Sequence, residues 1–246
     1  MRRYGLIGRS LGHSFSKGYF TEKFLLEGID DAIYELFPLE KVEDLSLLLA
    51  QYPDLCGLNV TIPYKETVMP LLHQLDDTAR EVGAVNCIKI MENGRLKGFN
   101  TDVAGFEYTL IHWNGWKPDL GPALILGTGG ASKAVSYVLR KQGIAFQLVS
   151  RNPSSEQERS YESLADDLTD YRLIVNTTPA GTFPGVDQMP PIPLDLFHNG
   201  MFVIDLIYNP AETLLLHEAK KRGCIVKNGM EMLEQQAEAA WALWQS

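Results

Sequence analysis

The sequence predicts an α/β protein of two domains. Three observations predict it: short apolar runs alternate with amphipathic stretches from the first residues onward, a Gly- and Pro-containing break at 115–121 interrupts that alternation, and a cleaner alternation restarts with an apolar strand, a glycine-rich turn and a helix. The implied architecture is an N-terminal three-layer α/β/α domain, then a doubly wound domain of Rossmann type, with a cleft between them.

With 246 residues, 45% of them hydrophobic and 22% charged, the chain has ordinary globular composition and enough material for two cores. A formal net charge of -9 argues against a nucleic-acid surface, because phosphate backbones require clustered basic residues. No apolar run approaches the roughly 20 residues that span a bilayer, so a cytoplasmic protein without membrane contact is expected. Cys56, Cys87 and Cys224 are far apart and odd in number, which points to neither a disulfide framework nor a zinc site.

Taken in order, the first stretch reads β-α-β-α-β: Tyr4 to Gly8, Phe15 to Leu26, Ile33 to Phe37, Val42 to Gln51, and Leu55 to Ile62. Tyr19, Phe20, Phe24 and Leu25 recur at helical spacing and Gly28 supplies a stop. Pro63 opens a helical piece to about Leu72, a polar break follows at Asp76-Asp77-Thr78, and a strand runs from Ala84 to Met91. Glu92-Asn93-Gly94 reads as a tight hairpin turn with positive φ angles at Asn-Gly, leading into a strand over Arg95 to Phe99. Thr101 or Asp102 caps a helix to about Trp113. Beyond the 115–121 linker come a strand Ala123 to Leu126, a helix Gly130 to Gln142, strands at Ala145 to Ser150, Arg172 to Asn176, Phe202 to Leu206 and Ile225 to Lys227, a helix near Ala211 to Arg222, and a last helix Met230 to Trp244.

The turn after Leu126 reads Gly127-Thr128-Gly129-Gly130-Ala131-Ser132. Between a strand and a helix, such a turn lets the backbone approach a pyrophosphate, whose charge is stabilised by N–H groups at the helix N-terminus. Dinucleotide binding follows. A free ribose 2′-hydroxyl would call for an acidic residue at the end of the next strand, but Ser150-Arg151-Asn152 stands there. An arginine pairs with a 2′-phosphate, so NADP is favoured over NAD.

Polar residues gather elsewhere. Gly57-Leu-Asn-Val-Thr-Ile-Pro-Tyr-Lys65 leaves a buried strand, with Asn59 and Thr61 two apart and on one side if the strand is regular. Gly83-Ala-Val-Asn86 and Gly98-Phe-Asn-Thr-Asp102 flank a hairpin that could bring Asn86 close to Asp102. Singly, Lys65 reads as a solvated lysine, Asp102 as a helix cap, and Ser14 and Ser16 likewise as caps. Together Lys65 and Asp102 suit reversible alcohol oxidation, in which a proton leaves or joins the oxygen while hydride moves.

These motifs resemble those of the shikimate dehydrogenase family along essentially the whole chain. Ser14-Phe-Ser16 is similar to its Ser-x-Ser, Asn59 to Lys65 to its Asn-Val-Thr-x-Pro-x-Lys, and Val85-Asn86 and Asn100-Thr-Asp102 with Gly105-Phe106 to its Val-Asn and Asn-Thr-Asp-x-x-Gly-Phe. The glycine loop, Ser150-Arg151-Asn152, Asn176 to Gly181, Asp205-Leu-Ile-Tyr208-Asn-Pro210 and Gly229 to Gln236 complete the likeness. The resemblance implies that Ser14 and Ser16 bind a substrate carboxylate and that Thr61, Asn86 and Gln236 bind hydroxyls. It places Lys65 and Asp102 around the reacting C3 oxygen and Tyr208 beside both ligands. Gly127, Thr128, Gly129, Gly130, Ala131, Ser150, Arg151, Asn152, Thr177, Leu206 and Gly229 would border NADP. The implied reaction is NADPH-dependent reduction of 3-dehydroshikimate to shikimate. Three departures stand out: Lys17 where the family usually has proline, Cys87 where it has threonine, and no evident second basic residue after Arg151.

The expected domains are 1–102, joined by the C-terminal helix 230–246, for the substrate, and 103–229 for NADP; the protein is a monomer or homodimer. Two rivals stay open: a quinate/shikimate dehydrogenase with relaxed NAD use, and a non-catalytic NADP- or substrate-sensing module. Ser16 and Arg151 weigh against the first, and the joint presence of Lys65 and Asp102 against the second.

Overall fold

The computed structural model describes residues 1–12, 14–166 and 171–246, without the side chains of 165 and 166. The chain forms two compact units, Met1–Thr101 with Ala237–Ser246, and Asp102–Gln236.

In the first unit β1 (Arg2–Gly8), α1 (Ser16–Leu26), β2 (Ala32–Pro38), α2 (Leu45–Gln51), β3 (Leu55–Val60), α3 (Tyr64–Thr67), β4 (Gln74–Leu75), α4 (Asp77–Val82), β5 (Cys87–Ile90) and β6 (Leu96–Phe99) follow in order. The six strands lie as β2-β1-β3-β5-β6-β4. β1 pairs in parallel with β2 and β3, and the hairpin β5–β6 adds antiparallel to β3. Side-chain alternation gives the sheet two buried faces, which is what makes the unit three layers. Tyr4 and Leu6 of β1 pack with Phe20, Phe24, Tyr34 and Trp244, whereas Ile7 joins Leu45, Leu48, Leu58 and Val60 on the other side. Burying a side chain such as Phe20, which is 0% exposed, stabilises the unit by about 3 kcal/mol. The end of the last helix seals the first face: the Trp244 indole N–H donates to Ile88 O at 3.0 Å, and a Cβ at Gly57 would collide with that indole.

The second unit comprises α5 (Asp102–Ile111), β7 (Ala123–Leu126), α6 (Gly130–Lys141), β8 (Phe146–Ser150), β9 (Glu158–Ser160), β10 (Leu173–Asn176), β11 (Phe202–Asp205), α7 (Leu214–Lys221), β12 (Ile225–Lys227) and the start of α8 (Met230–Gln245). Its six strands are all parallel, in the order β12-β11-β10-β7-β8-β9. That is the Rossmann order, and it reverses between β7 and β10, the point at whose carboxyl edge such sheets bind ligands.

Three local expectations are corrected, and one strand, β9, is added that none of them anticipated. The break at Asp76-Asp77-Thr78 is the start of α4: the Asp76 carboxylate accepts from Ala79 N at 2.8 Å and Gly83 ends the helix at φ 70°. The hairpin turn has no positive φ at Asn93; Gly94 alone takes one, at 76°, with Gly94 N donating to Met91 O, which is the three-residue turn with a glycine bulge. β9 forms without any apolar pattern, as an edge strand on β8. α7 begins at Leu214 rather than near Ala211, because Thr213 caps it by accepting from Leu216 N.

Candidate active site

The expected substrate residues of the first unit converge where β1 and β3 end. β3 stops at Val60, so Thr61 lies beyond the strand; its N–H donates to Ile7 O at 2.9 Å and its carbonyl accepts from Tyr64 N, which turns the chain into α3. Lys65, half-buried on α3, accepts at its backbone carbonyl from Val85 N at 2.7 Å, so the Val85-Asn86 segment is tied to the lysine. Asn86, 3% exposed, accepts from Thr101 N at 2.6 Å through Oδ1 and donates to Thr101 Oγ1 at 3.0 Å. The sequence expectation that the hairpin brings Asn86 towards Asp102 is met at the neighbouring residue: Thr101 is clamped by Asn86 and Asp102 follows it as the first residue of α5, 6% exposed. Ser14 Oγ accepts from Ser16 N at 3.3 Å at the start of α1.

Asn59 lies within β3, two residues before Thr61. Its side chain is 5% exposed and turned inward, with Oδ1 accepting from the Tyr34 hydroxyl at 2.7 Å and Nδ2 donating to Asn86 O at 3.3 Å. It therefore braces the site rather than presenting an amide to a ligand. Tyr34 itself was not singled out by the sequence, since an aromatic residue within an apolar strand carries no polar signal.

In the second unit Gln236 and Asp102 stand on helices that cross at Gly105. A Cβ there would lie 2.5 Å from Met232 O and 3.1 Å from Gln236 Cβ, which is the physical reason for the glycine in the Asn-Thr-Asp-x-x-Gly-Phe motif. Gln236 donates to Leu233 O of its own helix at 2.8 Å.

The expected cofactor residues line the carboxyl edge of the parallel sheet in strand order. Leu206 follows β11, Thr177 follows β10, Gly127 follows β7, and Ser150 ends β8. Gly127 has φ 106°, a left-handed angle, and a Cβ would sit 2.8 Å from Thr177 Oγ1, so only glycine serves. The Thr177 hydroxyl donates to Leu126 O at 2.7 Å, pinning β10 to β7 beneath the loop. At Gly129 a Cβ would meet nothing within 4 Å; the residue caps the 12-residue α6 and offers no side-chain acceptor to its first N–H groups. Thr128 and Gly129 are exposed, Gly130 and Ala131 half-buried. An open glycine ledge over a helix N-terminus fits a pyrophosphate. Gly229 packs directly on Leu206, whose carbonyl any Cβ would strike, and Gly229 N donates to Ile207 O at 3.0 Å.

Arg151 and Asn152 are exposed beyond β8, and the Ser150 hydroxyl accepts from Asn152 N at 3.2 Å. The Arg151 charge lies near the Tyr161 hydroxyl, which burial pushes up to about 12 and that charge partly restrains. Tyr208 is half-buried in a segment set by Asp205. Asp205 is 0% exposed and accepts from Thr213 Oγ1 at 2.6 Å, Asn176 Nδ2 at 2.9 Å and Ile207 N at 3.1 Å. Asn176 Oδ1 in turn accepts from Thr178 N at 2.9 Å, so one buried carboxylate organises both the loop after β10 and the Tyr208 segment.

A family model described as the shikimate dehydrogenase substrate-binding domain matches residues 6–88. The chain is 40% identical over 260 residues to an NADP(+) shikimate dehydrogenase of Clostridium beijerinckii, covering 100% of this chain and 92% of that one. Among solved structures, shikimate 5-dehydrogenase of Thermus thermophilus in complex with NADP(H) and shikimate superposes with a TM-score of 0.85 at 34% identity, covering 99% and 93% of the two chains. Quinate dehydrogenase of Corynebacterium glutamicum in complex with NAD superposes with a TM-score of 0.87 at 27% identity, covering 99% and 93%. Full-length similarity at this level, added to the Rossmann order and the motif residues gathered at the strand ends, shows that the chain belongs to the shikimate dehydrogenase family.

Proposed function

We propose that the chain catalyses the reversible, NADP-dependent interconversion of shikimate and 3-dehydroshikimate, reducing the ketone with NADPH in aromatic amino acid (chorismate) biosynthesis. The observation that carries this reading is the double hydrogen bond between Asn86 and Thr101, which ties the residue preceding Asp102 to an amide suited to a ring hydroxyl.

In this reading Ser14 and Ser16 hold the substrate carboxylate with hydroxyl donors, so no arginine clamp is required. Thr61, Asn86 and Gln236 bind ring hydroxyls, and Tyr208 borders substrate and cofactor. The Lys65 Nζ and the Asp102 carboxylate flank the C3 oxygen. As the C3–H bond breaks in the oxidative direction, the pair takes up the hydroxyl proton; in reduction it returns that proton to the carbonyl oxygen. NADP, when bound, supplies the hydride acceptor, and NADPH the donor. The loop Gly127 to Ala131 suits the pyrophosphate, Thr177, Leu206 and Gly229 line the nicotinamide side, and Ser150, Arg151 and Asn152 the 2′-phosphate side. We place the substrate unit at Met1–Thr101 with the end of α8 and the NADP unit at Asp102–Gln236. A cytoplasmic setting is in keeping with three free cysteines and with the absence, among the described residues, of any helix long and apolar enough to cross a membrane.

A second reading, quinate oxidation with NAD, is favoured by the structural likeness to a quinate dehydrogenase and opposed by Ser16 and Arg151. Initial rates with shikimate or quinate, each with NADP or NAD, decide between them. Turnover confined to shikimate and NADP is expected; comparable quinate or NAD turnover favours the second reading, and no turnover with any pair indicates a sensing module.

A further inference from the structure

β10 and β11 end side by side. Asn176 and Asp205 are opposite each other in the parallel register, each is the last residue of its strand, and both are 0% exposed. At these two points the chain leaves the sheet, for the turn that carries Thr177 and for the turn that carries Leu206 and Tyr208.

One carboxylate joins the two turns. Asn176 Oδ1 accepts from Thr178 N at 2.9 Å, and a backbone N–H only donates, so the amide has a single orientation and turns its Nδ2 to Asp205 Oδ1 at 2.9 Å. Ile207 N donates to the same oxygen at 3.1 Å. Thr213 Oγ1 accepts from Leu216 N at 3.3 Å as the cap of α7 and sends its own proton to Asp205 Oδ2 at 2.6 Å. Donors from three segments thus converge on two oxygens, and removing those oxygens would leave buried donors without partners. Backbone bonds carry the constraint outward: Leu206 N donates to Asn176 O at 3.0 Å, and Gly229 N to Ile207 O at 3.0 Å.

We propose that Asp205 is a positioning residue for the nicotinamide end of NADP: its carboxylate sets the turns after β10 and β11 in place before the cofactor arrives. This rests on the reading of Thr177, Leu206 and Gly229 as the nicotinamide side. Because Asp205 is wholly enclosed, it acts through these turns and not by contact with the ring. β7 separates β10 from β8, so the 2′-phosphate side at Ser150 to Asn152 stands apart from the network. The two ends of the cofactor should therefore respond differently to its loss.

Asp205→Ala removes both acceptors, whereas Asp205→Asn keeps Oδ1 for Asn176 and Ile207. Calorimetry on the full chain compares NADP with adenosine 2′,5′-bisphosphate, which carries the 2′-phosphate but no nicotinamide, and kcat is measured alongside. In Asp205→Ala the Kd for NADP should rise about tenfold and kcat fall about tenfold, because a displaced ring misses the geometry of hydride transfer. The Kd for the bisphosphate should stay within about twofold of wild type, and Asp205→Asn should bind NADP within about threefold of wild type. General loosening of the fold would weaken both ligands alike. If Asp205→Ala does not fold, Thr178→Val serves in its place: it cuts the 2.7 Å bond from the half-buried Thr178 hydroxyl to Asn176 Oδ1. NADP should then weaken about threefold with the bisphosphate unchanged. Unaltered NADP binding in the variant, equal weakening of both ligands, or an Asp205→Asn as impaired as Asp205→Ala overturns the proposal. Wild-type protein that neither binds NADP nor turns over shikimate overturns the functional reading and this proposal with it, whereas active wild type with unaltered NADP binding in the variant overturns this proposal alone.

Discussion

Replacing Asp205 with asparagine removes a negative charge that the fold has to bury. The carboxyl is wholly enclosed, and burial outweighs its hydrogen bonds from Thr213, Ile207 and Asn176, pushing it from its ordinary 3.8 up to about 6. The folded protein therefore binds this proton more tightly than the unfolded chain does. The favourable contribution is fully present below about pH 4 and is lost as pH rises through about 6. At about 1.4 kcal/mol per pH unit, the gap between the two values amounts to roughly 3 kcal/mol. Asparagine can keep the network, with Oδ1 accepting from Asn176 and Ile207 and Nδ2 donating to a reversed Thr213 hydroxyl, but it carries no charge at any pH. The assay is denaturant unfolding of wild type and Asp205→Asn at several pH values between about 4 and 7.5. Carboxyls held low by cationic neighbours, such as Asp31 and Asp54 beside Arg2 and Arg3, are common to both proteins and cancel. The stability difference should swing by roughly 3 kcal/mol in favour of the variant as pH rises through this window. A difference that stays flat refutes the reasoning.

Lys65→Ala should lower kcat by about a hundredfold or more while KM for shikimate changes little, as steady-state kinetics will show; the reverse pattern would make Lys65 a binding residue. Arg151→Ala should raise KM for NADP by about tenfold and leave KM for NAD unchanged, because only the 2′-phosphate loses a charge-assisted partner. Gly229→Ala forces a methyl into the Leu206 carbonyl and should destabilise the protein by about 1–3 kcal/mol, read as a lowered thermal midpoint.

The elements that could be read in the sequence are those whose burial writes a pattern. β7, α6 and β8 have apolar runs bounded by Gly127 and Gly143, and their pairing needs only the parallel rule. α4 and β9 escape such reading because six and three residues are too short to show a period, and because Asp76 and Gly83 speak of capping only once the helix between them is known. At the candidate site, Lys65, Asn86, Asp102 and the glycine loop are legible as polar or glycine residues in apolar settings. The bracing network was not: Tyr34 and Asn59 are 25 residues apart, and Asn176 and Asp205 are 29 apart. Their partnership is a property of strand order, which local pattern does not encode. The sequence likewise marks Gly105 and Gly229 as motif residues, but the helix crossing and the carbonyl that exclude a side chain there are visible only in three dimensions.

The central claim, that hydride leaves C3 of shikimate for NADP while Lys65 and Asp102 handle the hydroxyl proton, is tested most directly with shikimate deuterated at C3. The account predicts that the NADPH formed carries the deuterium, and that Lys65→Ala slows the label transfer by about a hundredfold or more while still binding shikimate. NADPH formed without the label, or label transfer in Lys65→Ala at the wild-type rate, would contradict it.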